Sequence, residues 1–146
     1  MPSPIPGRCL CGAVQIELTP PTELASHCHC ESCRRAHAAP LVTWTGLAAS
    51  QLRFARGEDH LERYESSPGT FRCFCRTCGT SMLSYYTPDS STFGDLTGKV
   101  YVPVAVLTEA LDREPDSHVS YEEHVPWLEV GAGLPRYRGK GEEPIE

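Results

Sequence analysis

Apolar and polar residues alternate along several short stretches of this chain, which is the pattern of half-buried β-strands. In residues 13–18 the apolar side chains fall at Val14, Ile16 and Leu18, with a period of two. Further strand-like stretches follow, at residues 41–45, 52–56, 61–64, 70–75, 81–87, 100–107 and 117–121. Because glycine and proline separate many of these stretches, the pattern predicts an all-β protein.

Proline and loop-forming residues set expectations for the segments between the strands. Pro40 follows Arg34–Ala39, so only about one helical turn is predicted there. Pro103 makes the strand at residues 100–107 a predicted edge strand or bulge. Gly46 and Gly57 are expected to end strands, and residues 66–69 and 89–92 to form a turn and a loop. Near the C-terminus, residues 126–129 and 134–137 are expected to pack apolar side chains onto the body, and residues 139–144 to fray.

The length and charge of the chain narrow the class of protein. Its 146 residues predict a single zinc-binding domain over 1–146, with a core at about 7–137 and a flexible C-terminal tail. The net charge of −6 disfavours a phosphate-backbone footprint, so nucleic acid is excluded as a partner. Because no stretch approaches the roughly 20 apolar residues needed to span a bilayer, a membrane role is excluded as well.

The first residues and the cysteine content bear on the redox compartment. The first seven residues contain three prolines and no apolar core of signal-peptide length, so a cytoplasmic protein is expected. A reducing cytoplasm disfavours a disulfide framework for the eight cysteines. Clustered thiols in such a protein favour metal-binding or redox roles.

The cysteines fall into a regular pattern that indicates zinc. They occur as Cys9-x-Cys11, Cys28-x-Cys30-x-x-Cys33 and Cys73-x-Cys75-x-x-Cys78. Three thiols within six residues cannot pair among themselves, whereas zinc takes thiolate ligands in a tetrahedral shell. Spacing alone leaves two arrangements open. All eight cysteines could close two four-cysteine sites, or seven could form one closed site and one three-cysteine site, with Cys73 left over.

Polar residues beside the cysteines suggest further roles. His27 and His29 alternate with thiols, and hydrogen bonding around the metal site is favoured over direct ligation. Arg34 and Arg35 could neutralise a thiolate-rich zinc or hold a substrate carboxylate, or they could form a solvated basic turn. Gly79 directly follows Cys78, where a positive φ would turn sulfurs toward a metal.

Four motifs, in order, resemble the glutathione-dependent formaldehyde-activating enzyme family, which also includes centromere protein V. The resemblance extends from about residue 7 to residue 137. The motifs are Gly7-Arg8-Cys9-Leu10-Cys11-Gly12-Ala13-Val14, Cys28-His29-Cys30-x-x-Cys33-Arg34-Arg35, Arg72-x-Phe74-Cys75-x-x-Cys78-Gly79-Thr80, and a late Pro115…His118-Val119…Trp127-Leu128…Leu134-Pro135. One departure is His37-Ala38-Ala39, where family members often have a small residue such as glycine, so the pocket is expected to differ in shape.

The resemblance implies a fold, two metal ions and their ligands. The fold would be a β-tent of several coiled antiparallel sheets. Four cysteines would hold a structural zinc. Three other cysteines would hold a second, catalytic zinc, which would have one open coordination position and incomplete occupancy. The implied ligands are Cys9, Cys11, Cys75 and Cys78 for the first zinc, and Cys28, Cys30 and Cys33 for the second. Cys73 would remain a free thiol.

The resemblance also implies a carbon–sulfur lyase-type enzyme that condenses glutathione with formaldehyde to S-hydroxymethylglutathione. The partner would be a small thiol, with Arg34 and Arg35 as candidate substrate contacts. Formaldehyde reacts readily without a catalyst, so carriage of glutathione or another thiol is an alternative, as is a lyase acting on another thiol. A non-catalytic zinc-stabilised binding module would be favoured if all eight cysteines closed two sites.

Overall fold

The computed structural model describes residues 3–87 and 98–146, and β-strands dominate it. Twelve strands lie in these ranges: β1 Ile5–Arg8, β2 Gln15–Leu18, β3 Leu24–Cys28, β4 Val42–Ala48, β5 Leu52–Arg56, β6 Leu61–Ser67, β7 Thr70–Cys75, β8 Ser81–Tyr86, β9 Lys99–Pro103, β10 His118–Val119, β11 Arg136–Arg138 and β12 Glu143–Ile145. The described α-helix, α1, covers Glu31–His37. Single 3₁₀ turns occupy Ala49–Gln51, Glu58–His60, Val104–Val106 and Tyr121–Glu123. The predicted β class is confirmed.

The chain divides into two compact units, each made of two separate stretches of sequence. The first unit comprises Met1–Glu23 and Thr45–Asp112, and the second comprises Leu24–Trp44 and Arg113–Glu146. The chain passes from the second unit to the first within β4. The single domain expected from the length of the chain stays a prediction.

The first unit contains a three-stranded antiparallel sheet, β1-β2-β5, and a sheet in the order β4-β9-β8-β7-β6. The period-two pattern predicted the buried face of β2 correctly, since Ile16 and Leu18 are both buried. Val14, just before the strand, is buried as well. These side chains belong to one apolar core with Leu47, Met82 and Val102, and burial of such large apolar side chains stabilises the unit.

The second unit is ordered around β10, which has parallel neighbours on both sides. His118 in β10 is in register with His27 in β3 and with Arg136 in β11. β11 then pairs with β12 in an antiparallel hairpin. Only two residues separate the end of β3 from the start of helix α1, so β10 lies directly beside the segment that leads into the helix.

Several sequence predictions match the strands closely, and two do not. The stretches 52–56 and 70–75 have the bounds of β5 and β7. Gly46 lies within β4 and does not end it. The predicted edge position of residues 100–107 is wrong, because β9 has β4 on one side and β8 on the other. Pro103 is the last residue of β9, where a missing N–H interrupts little of the ladder, and the chain then forms a 3₁₀ turn.

The C-terminal region also differs from expectation. Trp127 is 70% exposed and Leu128 is 40% exposed, so this apolar pair does not pack inward as predicted. Two adjacent apolar residues in irregular backbone carry no periodicity that assigns them a buried face. The segment expected to fray includes part of β12, because Gly139 and Gly141 adopt positive φ and reverse the chain after β11.

The predicted loop at residues 89–92 lies outside the described residues. In the ranges the structure describes, no helix is both long enough and apolar enough to cross a bilayer.

Candidate metal centres

Four cysteine sulfurs in the first unit converge on one point. Those of Cys9, Cys11, Cys75 and Cys78 all lie within 4.8 Å of one another. The Cys11 sulfur is 3.7 Å from that of Cys9 and 3.8 Å from that of Cys75. A regular tetrahedron with zinc–sulfur bonds of about 2.3 Å has edges of about 3.8 Å. The separations therefore fit a closed four-thiolate metal site.

Two tight turns present these four sulfurs. The Gly12 amide donates to the Cys9 carbonyl oxygen at 3.1 Å, and the Gly79 amide donates to that of Cys75 at 2.8 Å. Each glycine directly follows the second cysteine of its turn and has a positive φ, +81° for Gly12 and +79° for Gly79. The φ predicted for Gly79 is confirmed. Residues with a Cβ rarely adopt this conformation, so the glycines permit the turns.

Thr80 links the two turns through its hydroxyl group. The Leu10 amide donates to Thr80 Oγ1 at 3.0 Å, and the same oxygen lies 3.2 Å from the sulfur of Cys78. The hydroxyl bond to the sulfur lowers the pKa of Cys78 to about 5, with help from the Thr80 backbone. This favours the thiolate that a metal requires. Thr80 is part of a motif noted in the sequence, but spacing alone gave no sign of this contact.

Three more cysteine sulfurs converge in the second unit. Those of Cys28, Cys30 and Cys33 lie within 4.8 Å of one another. Cys28 ends β3, Cys30 is the N-cap of α1, and Cys33 lies in the first turn of the helix. The Cys30 sulfur accepts a hydrogen bond from the Cys33 amide at 3.3 Å. A helix start thus folds sulfurs three residues apart onto one point.

The donors of this second group suit a soft metal ion. Hydrogen bonds from its thiol to the sulfurs of Cys30 and Cys33, together with burial, raise the pKa of Cys28. Ionising all three thiols is therefore unfavourable unless a cation balances their charge. Among the described residues, the group contains only cysteines, with no histidine nitrogen or carboxylate oxygen as a fourth member. Three thiolates fit zinc with one coordination position left for another ligand.

The two arginines after Cys33 have different surroundings. Arg34 Nε donates to the carbonyl oxygen of His29 at 3.2 Å, which braces the cysteine loop. Arg35 forms an ion pair with Glu31 at 3.1 Å, and its side chain is 78% exposed. Arg34 therefore has a local structural role, whereas Arg35 is open to solvent. A substrate contact for either one stays a prediction.

The histidines beside the thiols bond to other side chains of the second unit. His27 Nδ1 lies 2.8 Å from Thr43 Oγ1, and His29 Nε2 lies 2.8 Å from His118 Nδ1. Neither His27 nor His29 belongs to a candidate metal group. The sequence predicted hydrogen-bonding roles for them but did not indicate His118 as a partner, since 89 residues separate His29 from His118.

Cys73 belongs to neither group of sulfurs. It is 1% exposed, and burial raises the pKa of its thiol to about 11. Its side chain borders a cavity of about 560 Å³ in the first unit. The other lining residues include Leu52, Phe54, Leu83, Arg63 and Tyr85. Cys73 is thus placed as a buried neutral thiol, away from both sets of candidate ligands.

The chain is similar in sequence and in structure to known proteins. A solved structure of a Rhodobacter sphaeroides protein has a TM-score of 0.56 and 29% identity, covering 75% of this chain and 93% of that one. A Schizosaccharomyces pombe protein named as an uncharacterised lyase is 31% identical over 81 residues. That match spans 56% of this chain and only 57% of the relative. The model of the glutathione-dependent formaldehyde-activating enzyme family matches residues 4–123. The chain therefore belongs to the glutathione-dependent formaldehyde-activating enzyme family.

Proposed function

We propose that the protein is a zinc-dependent enzyme of the carbon–sulfur lyase type that joins glutathione to formaldehyde. The reaction would take place at Cys28, Cys30 and Cys33, while Cys9, Cys11, Cys75 and Cys78 would hold a structural zinc. Family membership and the lyase name of a relative support an enzyme of this general kind. Glutathione, formaldehyde and zinc are the specific elements of the proposal.

The observation that carries the proposal is the convergence of three cysteine sulfurs without a fourth donor among the described residues. A closed structural site has four protein ligands, whereas a reactive site keeps a position open. Zinc bound there would supply Lewis-acid chemistry, favouring the thiolate form of a small thiol at neutral pH. The protein's own contribution is to fix three thiolates at metal-ligand separation, and helix α1 does so by using Cys30 as its N-cap.

The proposed reaction is balanced without any other reactant. The glutathione sulfur forms a bond to the formaldehyde carbon, and the electron pair of the carbonyl π-bond moves to oxygen. The proton lost by the thiol is the one that the new hydroxyl group gains, so the product is S-hydroxymethylglutathione. No oxidation or reduction takes place.

Arg35 is the residue that we propose to orient the substrate. Glutathione carries two carboxylates, and the guanidinium of Arg35 is exposed on helix α1, which also contains Cys33. Its present partner, Glu31, has a side chain that is 52% exposed. Exposed ion pairs contribute only about 0–1 kcal/mol, so a substrate carboxylate could replace Glu31 at little cost. Arg34 would act mainly through the loop backbone that it already holds.

Carriage of the thiol is the alternative that the same geometry favours next. A three-thiolate site would bind glutathione whether or not the rate of adduct formation rose. The binding-module alternative would be favoured by two closed four-cysteine sites, and Cys73 lies outside both groups of sulfurs. The test must therefore separate ligand binding from acceleration.

Cobalt substitution combined with a rate measurement makes that separation. Glutathione should shift the ligand-field spectrum of the cobalt protein toward four sulfurs, and S-methylglutathione, which has no free thiol, should not. With the zinc protein, ¹³C-formaldehyde and glutathione should form the adduct faster than in buffer alone. A spectral shift without acceleration would indicate a carrier. No spectral difference between the two compounds would overturn the open-site mechanism.

A further inference from the structure

Two histidines link the cysteine loop to a distant part of the second unit. His29 lies between Cys28 and Cys30, and His118 lies in β10 beside β3. Backbone bonds flank the contact, because the His29 amide donates to the Val119 carbonyl oxygen at 3.1 Å. Both imidazoles are buried, His29 being 4% exposed and His118 1% exposed.

The hydrogen-bond partners of these two rings determine which nitrogen of each ring donates and which accepts. His118 Nε2 lies 3.2 Å from the carbonyl oxygen of Gly131, which can only accept a hydrogen bond. The proton of neutral His118 therefore sits on Nε2, and its Nδ1 is an acceptor. The nitrogen 2.8 Å from this acceptor, His29 Nε2, must then be the donor. The Gly131 carbonyl group thus sets the proton positions of both rings.

The His29 ring is held by this hydrogen bond and by edge-on packing against Tyr121, whose ring centroid lies 5.0 Å away. The other nitrogen of His29, Nδ1, is buried and has no hydrogen-bond partner among the described residues. On the far side of the pair, Gly131 approaches His118 so closely that a Cβ at position 131 would lie 3.0 Å from His118 Nε2. The His118 amide also donates to the Pro135 carbonyl oxygen at 2.8 Å. His118 is therefore held by the C-terminal segment and in turn holds His29.

We propose that His118 is a positioning residue for the three-cysteine metal site. Through its bond to His29 it fixes the backbone between Cys28 and Cys30, so that two of the three sulfurs keep metal-ligand separation without a fourth protein ligand. A closed site can be organised by its own four bonds to the metal. A three-ligand site depends more on its surroundings, and loss of such a supporting contact typically costs about 10- to 100-fold in metal affinity. This inference rests on the proposed function, because it assumes that these cysteines bind zinc.

Asparagine and glutamine substitutions test the bond from both ends. An asparagine amide reaches the position of histidine Nδ1, and a glutamine amide reaches that of Nε2. At position 118, His118→Asn keeps an acceptor for His29, whereas His118→Gln loses it. At position 29 the order reverses, since His29→Gln keeps the donor and His29→Asn loses it.

Zinc affinity of the full-length protein is the measurement, made by chelator competition that resolves a labile and a tight zinc equivalent. His118→Gln and His29→Asn should weaken the labile equivalent by about 10- to 100-fold, while His118→Asn and His29→Gln stay within about threefold of wild type. The tight zinc and the far-UV circular dichroism should not change in any variant. General damage to packing would not make asparagine the milder substitution at position 118 and glutamine the milder one at position 29.

The outcomes separate this inference from the function on which it rests. If the wild type bound no labile zinc, the proposed function would fail and the inference with it. If the wild type bound it and all four variants kept wild-type affinity, or lost it regardless of amide position, only the positioning role would be overturned. If a variant at one position fails to fold, the pair of variants at the other position still tests the positioning role.

Discussion

The sulfur atoms of Cys11 and Cys75 lie 3.8 Å apart although 64 residues separate them in the sequence. A metal ion bound between them would close a loop of that length. By the chain-entropy relation, such a cross-link lowers the conformational entropy of the unfolded chain and so stabilises the folded state by roughly 4 kcal/mol. The four-cysteine group is therefore expected to act on folding, whereas the three-cysteine group spans only six residues and constrains little chain.

Cys75→Ser should unfold the protein, and Cys30→Ser should not. The first substitution removes a ligand of the long-range cross-link, and structural zinc sites are coupled to folding. The second removes a ligand of the three-cysteine group but preserves the N-cap of α1, since serine is a favoured N-cap residue. Far-UV circular dichroism and zinc content should show a folded Cys30→Ser protein with one zinc. If the two variants were equally unfolded, the assigned roles of the groups would be wrong.

Cys73→Ser should retain the full zinc content. Its sulfur belongs to neither group, so no metal bond is lost. The thiol is buried, and the free energy of unfolding should fall by roughly 1 kcal/mol, an ordinary value for a buried substitution. Metal analysis and urea denaturation measure the two quantities. Loss of one zinc equivalent would instead indicate two closed four-cysteine sites and favour the binding-module alternative.

Local patterns in the sequence predicted several strands. β2 was found from its period of two, and β5 and β7 from short strand-forming stretches bounded by glycine and turn residues. The predicted stretch 117–121 contains the two-residue strand β10, whereas β3, whose one buried residue is Ala25, was not predicted. The parallel pairing of β3 with β10 joins segments far apart in sequence, so local patterns do not encode it.

The grouping of the cysteines was predicted better than the contacts around them. Spacing identified the cysteines, but only the resemblance to the family divided them, because two partitions satisfy the same spacing. The structure groups them in that way. The contacts of Thr80 with Cys78 and of His118 with His29 could not be predicted, since both depend on how the backbone folds around the sulfurs.

Gly57→Ala should destabilise the protein more than Gly79→Ala. Both glycines have a φ of +79°, so each substitution costs about 1–2 kcal/mol for the left-handed conformation. At position 79 a Cβ would meet no atom within 4 Å. At position 57 it would overlap the Ala13 carbonyl oxygen and lie 2.9 Å from the Ala13 carbonyl carbon, which adds roughly 1–3 kcal/mol as the backbone shifts.

Urea denaturation of the two glycine variants checks this difference directly. The midpoints should fall in the order wild type, Gly79→Ala, Gly57→Ala, with similar slopes. Because the φ is the same at both sites, the conformational cost cancels and the remaining difference reports the clash with Ala13. Equal midpoints would mean that the segment carrying Ala13, just before β2, moves away freely.

Arg35→Gln should weaken glutathione binding to the cobalt protein, and Arg53→Gln should not. Both arginines form exposed ion pairs, Arg35 with Glu31 and Arg53 with Glu17, and their side chains are 78% and 67% exposed. They therefore match in charge, exposure and local pairing, but only Arg35 lies on the helix that contains Cys33. An exposed pair with a substrate carboxylate contributes at most about 1 kcal/mol, so Arg35→Gln should raise the dissociation constant by up to about fivefold. Added salt should shrink that difference, because exposed charges are screened. Equal affinities of the two variants at low salt would exclude Arg35 as the carboxylate contact and leave glutathione to be oriented by its bond to the metal.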